Sequence, residues 1–169
     1  VVTGTSRGLG RDIATELISQ DFDVVGLSRT SSQAQSLPNG FREIVADLAD
    51  LKEIPTLVRS IIAEHGIPYG LVNNAAIGID GLLSTQSNET IEEGIRLNLT
   101  SPILLTKYIS RHMLESRQGR IVNISSIVAS TGYSGLSVYA ASKAGLIGFT
   151  KSLSREVGRR GLTVNAIQP

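Results

Sequence analysis

A chain of 169 residues with 41% hydrophobic content suits one domain with a substantial core. A formal net charge of +1 offers nothing to a polyelectrolyte, so nucleic acid is excluded as an expected partner. The absence of cysteine removes disulfides, thiolate catalysis and cysteine-held metal, and fits a reducing, cytoplasmic setting.

Val1-Val2 reads as the end of a first strand. Thr3-Gly-Thr-Ser-Arg-Gly-Leu-Gly10 follows and leads into residues 11–18, where Ile13, Ala14, Leu17 and Ile18 recur at helical spacing. Strand, glycine turn and helix together make the context of a dinucleotide-phosphate site. Glycine lets the backbone approach a pyrophosphate closely, and a helix N-terminus supplies free N–H groups. The spacing is Gly-x-x-x-Gly-x-Gly and not the commoner Gly-x-Gly-x-x-Gly. A tight turn without a ligand is the plainer alternative. Residues 22–27 read as a second strand and 41–46 as a third, ending at Asp47; between them, 31–40 is an irregular, linker-like connection. Residues 51–64 carry apolar side chains at helical spacing, with Pro55 in the first turn, where its missing N–H is tolerated. Residues 70–73 are a fourth strand, 79–88 a loop, and 89–115 a long helix that Pro102 is expected to kink. A fifth strand at 120–125, a helix at 138–159 and a sixth strand at 162–167 complete the series. No apolar run approaches the ~20 residues that span a bilayer. Alternating strands and helices predict a single α/β domain over 1–169, with a parallel sheet and right-handed crossovers.

Tyr139 and Lys143 stand four apart inside a helical stretch and share one face. A phenol titrates near ~10, and a neighbouring ammonium lowers that value by favouring the phenolate. One such pair arises by chance in many chains; its weight comes from the glycine turn at the other end. Asn73-Asn74-Ala75, Asn98 within Leu97-Asn-Leu99, and Ser126 placed 13 residues before Tyr139 complete the set. Together these motifs resemble the short-chain dehydrogenase/reductase family over essentially the whole chain. One departure is Ala76, where the family's Asn-Asn-Ala-Gly element has glycine. Within the family, residues 119–126 and 143–152 look most similar to the 3-oxoacyl-acyl carrier protein reductases of fatty acid biosynthesis.

The resemblance implies a Rossmann-like doubly wound sheet of strand order 3-2-1-4-5-6 with helices on both faces. It also implies a chain cut at both ends, since the first residue is not Met and the family's last strand would follow Pro169. The implied activity is NADP(H)-dependent reduction of a carbonyl, with a 3-oxoacyl thioester as substrate. A sugar or polyol dehydrogenase, or a non-catalytic redox sensor or scaffold, are the alternatives. By resemblance, Tyr139 is the general acid, Lys143 lowers its pKa and holds the nicotinamide ribose, Ser126 binds the carbonyl oxygen, and Asn98 holds a water that passes protons to Lys143. Taken singly, each has a plainer use: a strand-end serine, a local helix hydrogen bond, a packing ring, a surface cation.

The implied cofactor contacts are Gly4, Ser6, Arg7, Gly8, Leu9 and Gly10 in the turn, and Ser28 and Arg29 after the second strand. Asp47 and Leu48 stand at the adenine, Asn74, Ala75 and Ala76 at the nicotinamide ribose, and Pro169 at the chain's end. An acid at the end of the second strand would bind the ribose 2′-hydroxyl of NAD and repel a 2′-phosphate. Ser28 stands there instead, and Arg7 and Arg29 suit a phosphate, so NADP(H) is expected. Acyl carrier protein is acidic, which predicts a basic patch at the site mouth; Arg117, Arg120, Arg159 and Arg160 are the candidates. A homotetramer or homodimer on the helices 89–115 and 138–158 is expected, because Ile95, Leu99, Ile103, Leu104 and Leu105 cover more than one helix face. His65 and His112 read as surface or capping residues, and no cluster has metal-ligand spacing.

Overall fold

The apolar runs become six strands: β1 (Val2–Thr3), β2 (Val24–Ser28), β3 (Phe41–Val45), β4 (Gly70–Asn73), β5 (Gly119–Ile124) and β6 (Leu162–Ile167). In the computed structural model, which describes residues 1–31 and 39–169, all pair parallel in the order β3-β2-β1-β4-β5-β6. The expected strand order is thus present. Strand order reverses between β1 and β4, and such a switch point opens a crevice at the C-terminal strand ends.

Helices α1 (Gly8–Ser19) and α2 (Ile54–His65) follow β1 and β3. The main core lies between the sheet and the helices after β3. Ile54, Val58 and Ile61 of α2 pack there with Leu71, Ile121, Leu162 and Val164 of the strands. Each fully buried aliphatic side chain stabilises by about 1.5–3 kcal/mol. A smaller cluster joins Ala14 of α1 to Val2, Val24 and Phe41.

The long helix expected over 89–115 is not one regular rod. It consists of α3 (Asn88–Ile95), a π-turn at Arg96–Thr100, and α4 (Ser101–Ser116). The irregularity therefore precedes Pro102 and does not sit at it. Proline lacks an N–H and its ring crowds the carbonyl four residues back, which here is Asn98. A wider turn before the proline relieves that crowding and lets Pro102 enter α4 in its first turn. Ser87 caps α3 by accepting from Thr90 N–H at 3.2 Å. Two short pieces were absent from the sequence reading: a 3₁₀ turn at Leu83–Thr85 within the expected loop, and α5 (Val128–Thr131). Helix α6 (Ser137–Val157) carries Tyr139 and Lys143. Of the connection expected over 31–40, residues 32–38 lie outside the described residues. Among those described, no helix is long and apolar enough to cross a membrane.

Candidate active site and dinucleotide cleft

The glycine turn is shaped by backbone that other residues rarely adopt. Gly4 and Gly8 have φ of 75° and 57°. Gly10 is needed for a different reason: a Cβ there would collide with the Gly4 carbonyl oxygen and Asn74 Nδ2. Helix α1 starts at Gly8, and Arg7 at its N-cap makes no side-chain cap bond. Its first turn lines a cleft of about 930 Å³, so uncapped helix N–H groups stand where an anion would be stabilised.

Thr3 braces this turn and was not among the expected site residues. Its Oγ1 accepts from Asn74 N–H and Ala75 N–H, both at 2.9 Å, and donates to Val72 O at 3.3 Å. Asn74 Nδ2 donates to Thr3 O at 2.9 Å. Two motifs some seventy residues apart thus hold each other across β1 and β4. The signal in the sequence was Thr3 itself, read only as part of the glycine run.

Of the expected cofactor residues, Gly4, Ser6, Arg7, Leu9, Gly10, Ser28, Arg29, Leu48, Asn74, Ala75 and Ala76 line the cleft. Arg11, Ile77 and Leu97 line it too and were not anticipated. Ser28 donates to Thr30 O at 2.9 Å and shapes the turn after β2. Among the described residues no acidic side chain lines the cleft. Asp47 is not part of its wall: it is exposed, and its Oδ1 accepts from Ala49 N–H at 2.9 Å. Pro169 is also outside the wall, its carbonyl accepting from Ile127 N–H at 3.1 Å.

The second group of residues collects at the ends of β4 and β5 and the start of α6. Ser125 is buried and ties strand to helix, its Oγ donating to Lys143 O at 2.8 Å. Strand β5 ends at Ile124, so strand alternation does not extend to Ser126, which is half-buried in the turn that follows. Tyr139 lines a smaller cavity of about 320 Å³ with Ile79, Asp80 and Leu136. Ala76 and Ile77 line both this cavity and the large cleft, so the two meet at that loop. Lys143 is 2% exposed; its Nζ donates to Ile124 O at 2.8 Å and lies 5.7 Å from the Tyr139 ring centre. Burial in this dry place lowers its pKa to about 8.

Asn98 comes to the same neighbourhood, but its side chain is not directed at Lys143. Its Oδ1 accepts from Ile77 N–H and its Nδ2 donates to Ile77 O, both at 2.9 Å. Nδ2 also reaches Ser142 Oγ at 3.4 Å. The amide is spent on clasping the loop that both cavities share.

The four arginines expected at the mouth do gather, but at the opposite pole. Arg120 opens β5 and its guanidinium reaches Gly161 O at 3.4 Å, while Arg117 ends α4 and Arg159 and Arg160 precede β6. These are N-terminal strand ends; Ser126 and Tyr139 belong to the C-terminal ends. A third cavity, about 570 Å³, opens at that same pole between Phe22, Tyr69 and Arg120 and holds none of the expected catalytic or cofactor residues. His65 and His112 lie beside Glu64 and Glu115 at 3.8 and 3.6 Å, away from both site cavities. Among the described residues no group of three or more His, Cys, Asp or Glu could hold a metal.

The family model for short chain dehydrogenase matches residues 1–169. The chain belongs to the short-chain dehydrogenase family. It is 41% identical, over 174 residues, to the 3-oxoacyl-[acyl-carrier-protein] reductase FabG of Escherichia coli (strain K12), covering 100% of this chain and 71% of that protein. Among solved structures it resembles a short-chain dehydrogenase from Streptomyces avermitilis, with TM-score 0.94 and 29% identity over 99% of this chain. The chain spans 63% of that protein's length. A metagenomic short-chain oxidoreductase in complex with NADP matches with TM-score 0.90 and 29% identity, covering 99% of this chain and 80% of its own. A 4-hydroxyisoleucine dehydrogenase complexed with NADH and succinate gives 0.90 and 27%, covering 99% and 77%.

Proposed function

We propose that this family member reduces the 3-keto group of an acyl thioester to an alcohol with NADPH. The observation that carries this is Tyr139 in the small cavity that adjoins the dinucleotide cleft, beside a lysine that is 2% exposed. The cleft residues fit a dinucleotide: the uncapped start of α1 suits the pyrophosphate, and Gly10 lets the turn pack closely on Gly4 and Asn74 in the shape that start requires. Arg7 and Arg29 in a wall without acids favour a 2′-phosphate, so the cofactor is NADP(H) although the solved relatives include both forms. When bound, the nicotinamide supplies the hydride.

The chain's own groups handle the oxygen. Ser126 Oγ donates to the carbonyl oxygen and stabilises its developing charge. Tyr139 gives that oxygen its phenolic proton. The Lys143 ammonium favours the phenolate left behind, which makes the proton easier to give. Asn98 acts through its main-chain carbonyl, because its amide is occupied; four residues on, Pro102 has no N–H to offer it. That carbonyl holds the water that restores the proton through Lys143.

Leu82, Ile127, next to Ser126, and Tyr133 are exposed, and the loops of Leu82 and Tyr133 meet where Gly81 N–H bonds Gly135 O at 2.9 Å. An apolar rim of this kind suits an acyl chain better than a polyol. Leu105 belongs to the core and Leu104 packs on it, which leaves the half-buried Ile95, Leu99 and Ile103 as support for a homo-oligomer built on the helices 89–115 and 138–158. The test uses the whole protein with acetoacetyl thioester, following nicotinamide absorbance with NADPH or NADH. Turnover with NADPH, lost in Tyr139→Phe, is expected. Turnover preferring NADH overturns the cofactor assignment, and tight NADPH binding without thioester turnover overturns the substrate.

A further inference from the structure

We infer that Ser142 is a positioning residue that joins the loop between the two cavities to Tyr139. It rests on the catalytic reading above for its kinetic consequence, but not for the linkage itself. Ser142 is 0% exposed and sits between Tyr139 and Lys143 on α6, one turn from the phenol. Its hydroxyl donates to the Tyr139 carbonyl at 2.7 Å. The same oxygen receives Asn98 Nδ2 at 3.4 Å, the longest bond of the set. Asn98 in turn clasps both backbone groups of Ile77. A continuous path of hydrogen bonds therefore runs from the Ile77 backbone through Asn98 and Ser142 to the backbone of Tyr139.

The path matters because each end has few other ties. Tyr139 is in the first turn of α6, whose N-cap, Leu136, gives no side-chain bond. Ile77 lies in the stretch between β4 and the 3₁₀ turn at 83–85, without regular structure of its own. A displacement of the loop by a dinucleotide in the cleft is thus transmitted to the residue that bears the phenol, and reacting groups tolerate little misplacement. Removing the hydroxyl strands no buried group: Asn98 Nδ2 keeps Ile77 O, and the Tyr139 carbonyl keeps its place in the helix ladder. Ser142→Ala is therefore a gentle probe.

In the whole protein, Ser142→Ala is expected to lower kcat about tenfold while KM for NADPH stays within about twofold. Its melting temperature should stay within about 4 °C of the parent's. Ser142→Thr, which keeps the hydroxyl, should recover most of kcat. An Ala variant with kcat within about twofold of the parent overturns the inference, as does a parallel fall of kcat, cofactor affinity and melting temperature. Amide hydrogen exchange decides the linkage without turnover. In Ser142→Ala the Ile77 amide should exchange several-fold faster together with the first turn of α6; an unchanged Ile77 amide overturns it. A parent protein that turns over no thioester would sink the substrate proposal alone, leaving this exchange arm to judge Ser142.

Discussion

The dinucleotide cleft and the catalytic group are built by different means. The cleft rests on one contiguous turn, residues 3–10, whose glycines set the backbone and whose helix start offers N–H groups. The catalytic group is assembled from residues 77, 98, 126, 139, 142 and 143, with side-chain bonds joining the loop after β4, the π-turn and α6, and Ser125 tying the end of β5 to α6. One region is therefore sensitive to added atoms, the other to removed ones. A methyl at Gly10 has nowhere to go, while a missing hydroxyl at Ser126 or Tyr139 leaves the backbone where it was.

The sharpest break in this contrast is Tyr139→Phe. It should lower kcat about 10³-fold in the whole protein while dinucleotide binding, measured by fluorescence titration, persists. Ser126→Ala should lower kcat about 10²-fold, again with little change in cofactor affinity. Gly10→Ala should do the reverse, raising the dissociation constant for NADPH about tenfold or more through its clash with Gly4 and Asn74. If it instead left binding intact and spoiled only kcat, the division between the two regions would be wrong. Arg29→Ser should shift the NADPH to NADH preference in kcat/KM about fivefold toward NADH, since one phosphate-pairing cation is lost.

The smallest expected effect concerns pH and stability. Lys143 has a folded pKa of about 8 against an ordinary 10.5. Between those values the unfolded chain holds the extra proton, so this group makes stability rise with pH across that window; below about 8 its burial cost is present in full. Urea unfolding of the parent and Lys143→Met at pH 7.5 and 9.5 should show the parent gaining relative to the variant. No gain would mean that Lys143 titrates normally in the folded chain.

Much of this was legible in the primary structure, for identifiable reasons. Strands and helices alternate with clear periods, so all six strands and the main helical stretches, though not the short α5, were placed within a few residues. The glycine turn and the Tyr139–Lys143 pair are short-range patterns, visible at fixed spacing. Pro102 was read as a kink because proline breaks an α-helix, but the chain widened into a π-turn before it. Asp47 was expected at the adenine from its motif alone, and its Oδ1 also closes a local turn with Ala49, which no spacing announced. The arginines at 117, 120, 159 and 160 were rightly grouped and wrongly located, since charge in sequence says nothing about which end of a strand it marks.

By itself, the sequence determined the alternation of elements, the parallel sheet with its order as the family resemblance implies it, and the residue types at each motif. Those follow from periodicity, backbone permission at glycine and fixed helical spacing, which act over one or two turns. Only the tertiary structure decided what each polar side chain bonds. Asn98 serves Ile77, Thr3 braces Asn74, Ser125 holds Lys143 and Ser142 reaches Tyr139 because buried polar groups take whichever partner the packing brings within about 3 Å. That partner lies up to 71 residues away, at a distance that no local pattern encodes.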